Sequence, residues 1–556
     1  MTTIDTRPDT AVPGEQPSDS AVVSFFVGAA GWVVSTDHKR IGRLYLAAGS
    51  LALLATSVIG LILGLERVDD SAALLDANAL LQVFQAYRVG LVFGAVLPLA
   101  LGLSIAVAPM QLGARSIAFP RLALAGFYSW LGGLVLAMAA LGANGGIGGG
   151  DSNAVDLFLA GHGLMILGLL ASAVCVAASV LTTRAPGMTL RRVPLFSWSA
   201  LVGSLGMLLV LPVAFGSIVY LFIDHRYTSL NFGGSEGIAA WVGWIFSVPA
   251  VVAFALPAIG VAAELVPVTF RARQAVRGVA FAGIALIGVT ALSALTQQNT
   301  HAVTFDSSPL TFIEGAIPFV LLAGLPLLGL LIVMGLGGLT AKQGSSVGRP
   351  RIAAPFVFGF FGLGMIAVGL IGNALQGITD LELVGTTFEE GATLYVVYGA
   401  ALSVMGGAVF WAPKMWGRTI ADKLVMPLAL LGVTATVLAA LPLYLAGFVG
   451  QLGGIPANDP EVSAILSLDG VDGGALWMTL SLIGHGLMAL TVFAFVGLML
   501  KAFAGNGEMS EANPYGGHTV EWTSPSSLAP HANYEHVPTV ASATPQFDMT
   551  ADGSHS

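Results

Sequence analysis

Along most of this chain the polar residues come in short clusters, separated by long stretches of mainly apolar residues. Wound as α-helix, about 20 such residues cross the hydrocarbon core of a bilayer. The pattern predicts twelve spanning helices, near 42–65, 82–110, 122–146, 157–183, 195–223, 238–266, 278–298, 312–340, 353–378, 391–413, 424–449 and 474–500. The first 20 residues and everything after about 505 are rich in Pro, Ser, Thr and Gly. They read as tails that are disordered or ordered by a partner. The expected division is a tail over 1–30, a twelve-helix membrane domain over 31–504 and a second tail over 505–556.

The charges sharpen this picture. All but Arg67, Arg88 and Arg226 of the 22 Lys and Arg residues fall in the N-terminal tail, at the C-terminal end of the last span, or on alternate connections between spans. Short cytoplasmic connections collect positive charge. An integral protein with both termini in the cytoplasm is therefore expected. The other face carries acids such as Asp76, Asp151, Asp156, Glu236 and Asp380, read as a solvated surface or as a docking face for a basic partner.

Composition excludes several classes of function. Of 556 residues, 55% are hydrophobic and 10% charged, and the mean hydropathy of +0.84 rules out a soluble enzyme. The 71 glycines suit membrane helices that approach closely. A net charge of −9 lacks the basic stripe that nucleic acid requires. The single cysteine, Cys175, excludes a disulfide framework and thiolate clusters. Nine histidines are left as the metal-binding resource, and only His162 and His485 fall inside predicted spans.

Several connecting segments resemble subunit I of cytochrome c oxidase, of the heme-copper oxidases. They are Ser35-Thr36-Asp37-His38-Lys39-Arg40-Ile41-Gly42, Gln111-Leu112-Gly113-Ala114 with Ala118-Phe119-Pro120-Arg121-Leu122, Arg184-Ala185-Pro186-Gly187-Met188-Thr189, Phe410-Trp411-Ala412-Pro413-Lys414-Met415, and Asn513 to Trp522. The resemblance runs from about residue 32 to about 540. It implies an all-α, twelve-helix bundle in a prokaryotic cell membrane. It also implies haem and copper held by six histidines, and here this sequence departs from the pattern.

Matched to the family, the histidine of helix II falls on Tyr87, and the copper histidine of helix VI on Val248. The glutamate and tyrosine that follow it fall on Ala250 and Val252. The adjacent copper histidines of helix VII, counted forward from Arg271 without a gap, fall on Gln297 and Gln298, and the helix X pair on Gly391 and Thr393. The resemblance implies losses along the proton paths too: the channel-mouth acid at Ser116, an asparagine at Ala123 and the helix VIII lysine at Leu322. The arginine pair for haem propionates falls on Ala457 and Asn458. No haem or copper is therefore expected at the family's sites.

The polar residues left inside the spans set the remaining expectations. His162 and His485 both lie in Gly-His-Gly-Leu-Met, and two imidazoles on two helices can clamp a haem; the alternative is that each donates to a carbonyl on a neighbouring helix. Tyr87 is expected to fill the vacated haem volume. Arg88, the intramembrane cation, is expected to pair with Glu389 or Glu390, or else to snorkel outward. The functional expectation is a catalytically inactive relative of oxidase subunit I, structural or regulatory, associating with other oxidase or respiratory-chain subunits in the lipid bilayer. Its alternatives are an electron-carrying oxidoreductase with haem at His162 and His485, and a transporter reusing the emptied cavities.

Overall fold

The computed structural model describes residues 30–68, 74–229, 231–305, 307–346, 348–453, 474–504, 510–524, 533–534 and 536–553. Ala457, Asn458 and nearly all of the 1–30 tail lie outside the described residues. A short leading unit ends at Ser35, with residues 30–33 forming one helical turn, and a second unit begins at Thr36.

The second unit holds twelve helices long and apolar enough to cross a membrane: α1 His38–Val68, α2 Asn78–Gln111, α3 Pro120–Gly142, α4 Ser152–Thr182, α5 Leu195–Arg226, α6 Gly237–Thr269, α7 Arg277–Thr296, α8 Pro309–Ser345, α9 Ala354–Gln376, α10 Thr387–Trp416, α11 Asp422–Phe448 and α12 Gly474–Ala504. Each predicted span has its helix. The best apolar windows of α2, α6 and α10 are 100%, 94% and 94% buried, whereas α12 is 22% buried. These three helices are therefore the inner ones. Segments such as Leu97-Pro98-Leu99-Ala100-Leu101 in α2 are apolar on every side, as an enclosed helix must be.

Glycine brings the outer helices together. A Cβ on Gly126 in α3 would lie 2.7 Å from the Gly168 carbonyl of α4, and one on Gly161 of α4 would lie 3.1 Å from the Gly133 carbonyl of α3. The two backbones touch at both levels, a closeness that replaces the hydrophobic drive absent in lipid.

Two segments are π-helical, Gly90–Val96 in α2 and Val320–Gly324 in α8. Wide turns misalign carbonyls, and membrane helices must satisfy them internally. Trp130 Nε1 donates to the Phe93 carbonyl at 2.8 Å and Asn373 Nδ2 to that of Leu322 at 3.4 Å.

Residues 510–553 correct the expectation of a disordered or partner-ordered tail. Where described, they dock on the bundle face formed by the ends of α2, α4, α6 and α10. Glu521 is fully buried and accepts hydrogen bonds from Trp411 Nε1 at 3.0 Å and Gln111 Nε2 at 3.3 Å. Asn533 donates to the Ala114 carbonyl and accepts from Lys39 Nζ, while Tyr534 donates to the Met110 carbonyl. The Val540 amide donates to the Pro186 carbonyl, and Arg273 pairs with Asp548 at 2.6 Å. The family-like loop segments and the tail thus bond to one another. A few buried polar anchors order a stretch whose composition alone gives no hydrophobic signal.

Candidate functional site

The inner helices line a cavity of about 260 Å³ that opens toward the bundle face opposite the docked tail. Tyr87, Arg88, Val248, Glu389, Glu390 and Thr393, distant in sequence, line it together with Phe246, Asn299 and Gln376. The cavity wall is mixed in charge and polar for a membrane interior.

The expected pairing of Arg88 with a carboxylate is corrected. Glu390 is taken by Arg67, at the end of α1, through two hydrogen bonds of 2.8 and 3.2 Å. Arg88 places its guanidinium 4.9 Å from the Phe246 ring centroid and reaches the Gly243 carbonyl at 3.5 Å. Glu389 Oε1 accepts from Thr300 Oγ1 at 3.3 Å and from the Gly385 amide at 3.2 Å. Arg67 wins because the last turn of α1 points its side chain at the first turn of α10. Its position beside Glu66 made it resemble a loop cation.

His162 and His485 are not brought together. His162, in α4, is boxed by Phe93 and Phe158, with centroids 4.6 and 5.5 Å away. Both of its ring nitrogens are buried without a hydrogen-bond partner among the described residues. His485, in α12, lies between Tyr87 and Tyr398, whose hydroxyls are 3.3 Å from Nε2 and 3.0 Å from Nδ1. Neither imidazole donates to a carbonyl among the described residues. With both nitrogens engaged, His485 has no lone pair directed at an iron. Tyr398 was missed in the sequence, although it stands two turns from Gly391 on the same helix face and a buried tyrosine hydroxyl demands a partner.

The remaining family-matched positions are dispersed. Gly391 faces α11, where a Cβ would lie 2.8 Å from Tyr444 Cδ1 and 2.9 Å from the Ala440 carbonyl. No side chain fits there. Thr393 Oγ1 donates to the Phe246 carbonyl at 3.4 Å. Gln297 and Gln298 are exposed and outside the cavity, because α7 stops at Thr296 and Gln297 caps it in the left-handed region at φ 53°. The ungapped count carried both past the helix end. Val248, Ala250, Val252 and Leu322 are buried apolar side chains. Ser116 Oγ is buried without a hydrogen-bond partner among the described residues.

This donor set does not fit an iron porphyrin or a copper centre. An axial ligand to iron is an imidazole, thiolate, thioether or phenolate, and copper in such a bundle wants imidazoles. Among the described residues that line it, none is a histidine, cysteine or methionine. The one phenol, Tyr87, is directed at His485.

Comparison with known proteins places this geometry. The family model described as Cytochrome C and Quinol oxidase polypeptide I matches residues 40–488. The chain is 27% identical to cytochrome c oxidase subunit 1 of Bacillus subtilis (strain 168), over 92% of this chain and 82% of that protein. It is also 27% identical to a putative cytochrome c oxidase subunit 1-beta of Streptomyces avermitilis, over 93% and 92%. To quinol oxidase subunit 1 of B. subtilis the identity is 23%, over 92% and 79%.

Proposed function

Because this chain belongs to the cytochrome c and quinol oxidase polypeptide I family, we propose that it keeps the family's membrane bundle without the oxygen chemistry. It serves as a structural or regulatory component of a respiratory complex in a prokaryotic membrane, with both termini in the cytoplasm. One observation carries the reading: the cavity where α2, α6 and α10 meet is lined by Tyr87, Val248 and Thr393, with no imidazole among the described residues of its wall.

Oxygen reduction at a haem–copper centre needs ligands for both metals and a proton supply. The positions that match the family's ligands on α2, α6 and α10 offer a phenol already bonded to His485, a valine, a threonine and a glycine pressed against α11. The matched proton-path positions hold Ser116, Ala250 and Leu322. Ala250 and Leu322 carry no proton.

The partner reading rests on the family, whose relatives are named as subunits. The loop and tail segments do not add to it, because their contacts are made within the chain. The test is oxygen uptake by the purified protein with reduced cytochrome c or a quinol, alongside purification in mild detergent to identify co-purifying subunits. The expected result is no uptake and respiratory subunits in stoichiometric association. Sustained turnover overturns the reading.

A further inference from the structure

The same cavity carries a second inference, which rests on the reading that no haem or copper fills it. Among the described residues its wall holds one cation, Arg88, and one carboxylate, Glu389, that feel each other's charge but form no direct ion pair with each other or with a neighbour. Arg88 makes no ion pair within 4.0 Å among the described residues. Its five N–H donors meet one carbonyl at 3.5 Å and the face of Phe246. Glu389 uses Oε1 for Thr300 and Gly385, and Oε2 has no partner among the described residues. The third charged wall residue, Glu390, is neutralised by Arg67.

A third group points the same way. Gln376 ends α9 and is 3% exposed, yet its Nε2 has no hydrogen-bond partner among the described residues although it lines the cavity. A buried amide without a partner costs free energy unless something in the cavity accepts from it. The wall therefore offers two sets of donors, on Arg88 and Gln376, and one acceptor anion, on Glu389.

We propose that this cavity binds a small amino carboxylic acid in its zwitterionic form. Its carboxylate would meet Arg88 and the Gln376 amide, and its ammonium group Glu389. A simple anion leaves Glu389 uncompensated beside it, and a simple cation does the same to Arg88; a zwitterion answers both. The volume of about 260 Å³ suits a molecule of a few heavy atoms. Gly385, Thr386 and Gly453 of the connections at this end of the bundle form part of the wall, so the site is approached from the face opposite the docked tail.

The test uses the full-length protein in mild detergent. Titration calorimetry compares glycine, β-alanine and 4-aminobutyrate, which differ in charge spacing, with acetate and methylammonium as the separate halves. At least one zwitterion is expected to bind tenfold or more tightly than either half. Arg88→Gln and Glu389→Gln should each weaken it at least tenfold, and Gln376→Leu several-fold, with helicity and thermal midpoint read on every variant. If Arg88→Gln or Glu389→Gln does not fold, the ligand panel and Gln376→Leu decide. Zwitterions that bind no better than acetate or methylammonium, or variants that keep the parent affinity, overturn the proposal. Haem content and oxygen uptake read the oxidase question separately.

Discussion

The Tyr87 hydroxyl lies 3.3 Å from Nε2 of His485, joining the second helix of the bundle to the last. Tyr398 holds the other ring nitrogen at 3.0 Å, so a neutral imidazole donates to one tyrosine and accepts from the other. This triad occupies interior space between α1, α2, α10 and α12 and is fully enclosed. Replacing His485 with Phe keeps a ring there and strips Tyr87 of its partner. The expected cost is about 1–3 kcal/mol, for a buried hydroxyl left unpaired. A lowered thermal midpoint in mild detergent checks it; an unchanged midpoint would mean that the triad adds nothing to stability.

The Arg67–Glu390 pair makes a contrasting prediction about two arginines. Arg67→Met leaves a carboxylate enclosed without its partner and should destabilise by about 2–4 kcal/mol. The double variant Arg67→Met, Glu390→Leu should recover much of that loss, because the pair's own desolvation cost disappears with it. Arg88→Gln, which breaks no ion pair, should cost under about 1 kcal/mol. Unfolding midpoints for the three proteins give the comparison, and an Arg88 variant as damaged as the Arg67 variant would contradict it.

How far the sequence reaches is clear from these residues. All twelve helices were legible, because hydropathy over twenty residues is a coarse signal that packing seldom overrides. Arg88, Glu389, Glu390, Tyr87 and Thr393 were singled out and do share a cavity. Their partners were not legible. Arg67 sits at a helix end, where position alone cannot distinguish a solvated cation from one that reaches a neighbouring helix. Gln297 and Gln298 were misplaced because α7 ends in a left-handed cap that an ungapped count cannot see. The tail was read from average composition, whereas Glu521, Asn533 and Tyr534 order it by individual buried hydrogen bonds.

The docked tail should respond to acid. Burial holds the His518 imidazole down to about 4, against the pull of nearby Asp548. An undocked His518 titrates near 6.5, so between those values the released tail binds more protons than the docked one. Through His518, docking therefore weakens as pH falls from 6.5 toward 4, by up to about tenfold per unit, and the buried Glu521 carboxyl, held above its ordinary value, opposes part of this. Limited proteolysis of the tail at pH 7 and pH 5, with a protease active at both, should show faster cleavage at pH 5. His518→Leu should flatten the difference; an equal pH response in that variant would assign it elsewhere.

Helix pairing through α3 and α4 depends on the absence of side chains. Gly168→Leu places a large group where even a Cβ would lie 2.5 Å from the Gly126 carbonyl. The helices must separate, and overpacking of this kind costs about 1–3 kcal/mol or more. Yield of folded protein and its thermal midpoint should both fall. Gly278→Leu, at a glycine with nothing within 4 Å of its Cβ position, should leave both unchanged, and equal behaviour of the two variants would argue against close packing as the cause.

The central claim is that the bundle persists without the metal centres. The most direct measurement is the reduced-minus-oxidised difference spectrum of the purified full-length protein, made in a haem-replete host, with copper content determined on the same sample. The account predicts no Soret feature and no stoichiometric copper. A Soret band corresponding to one or more haems per chain would contradict it.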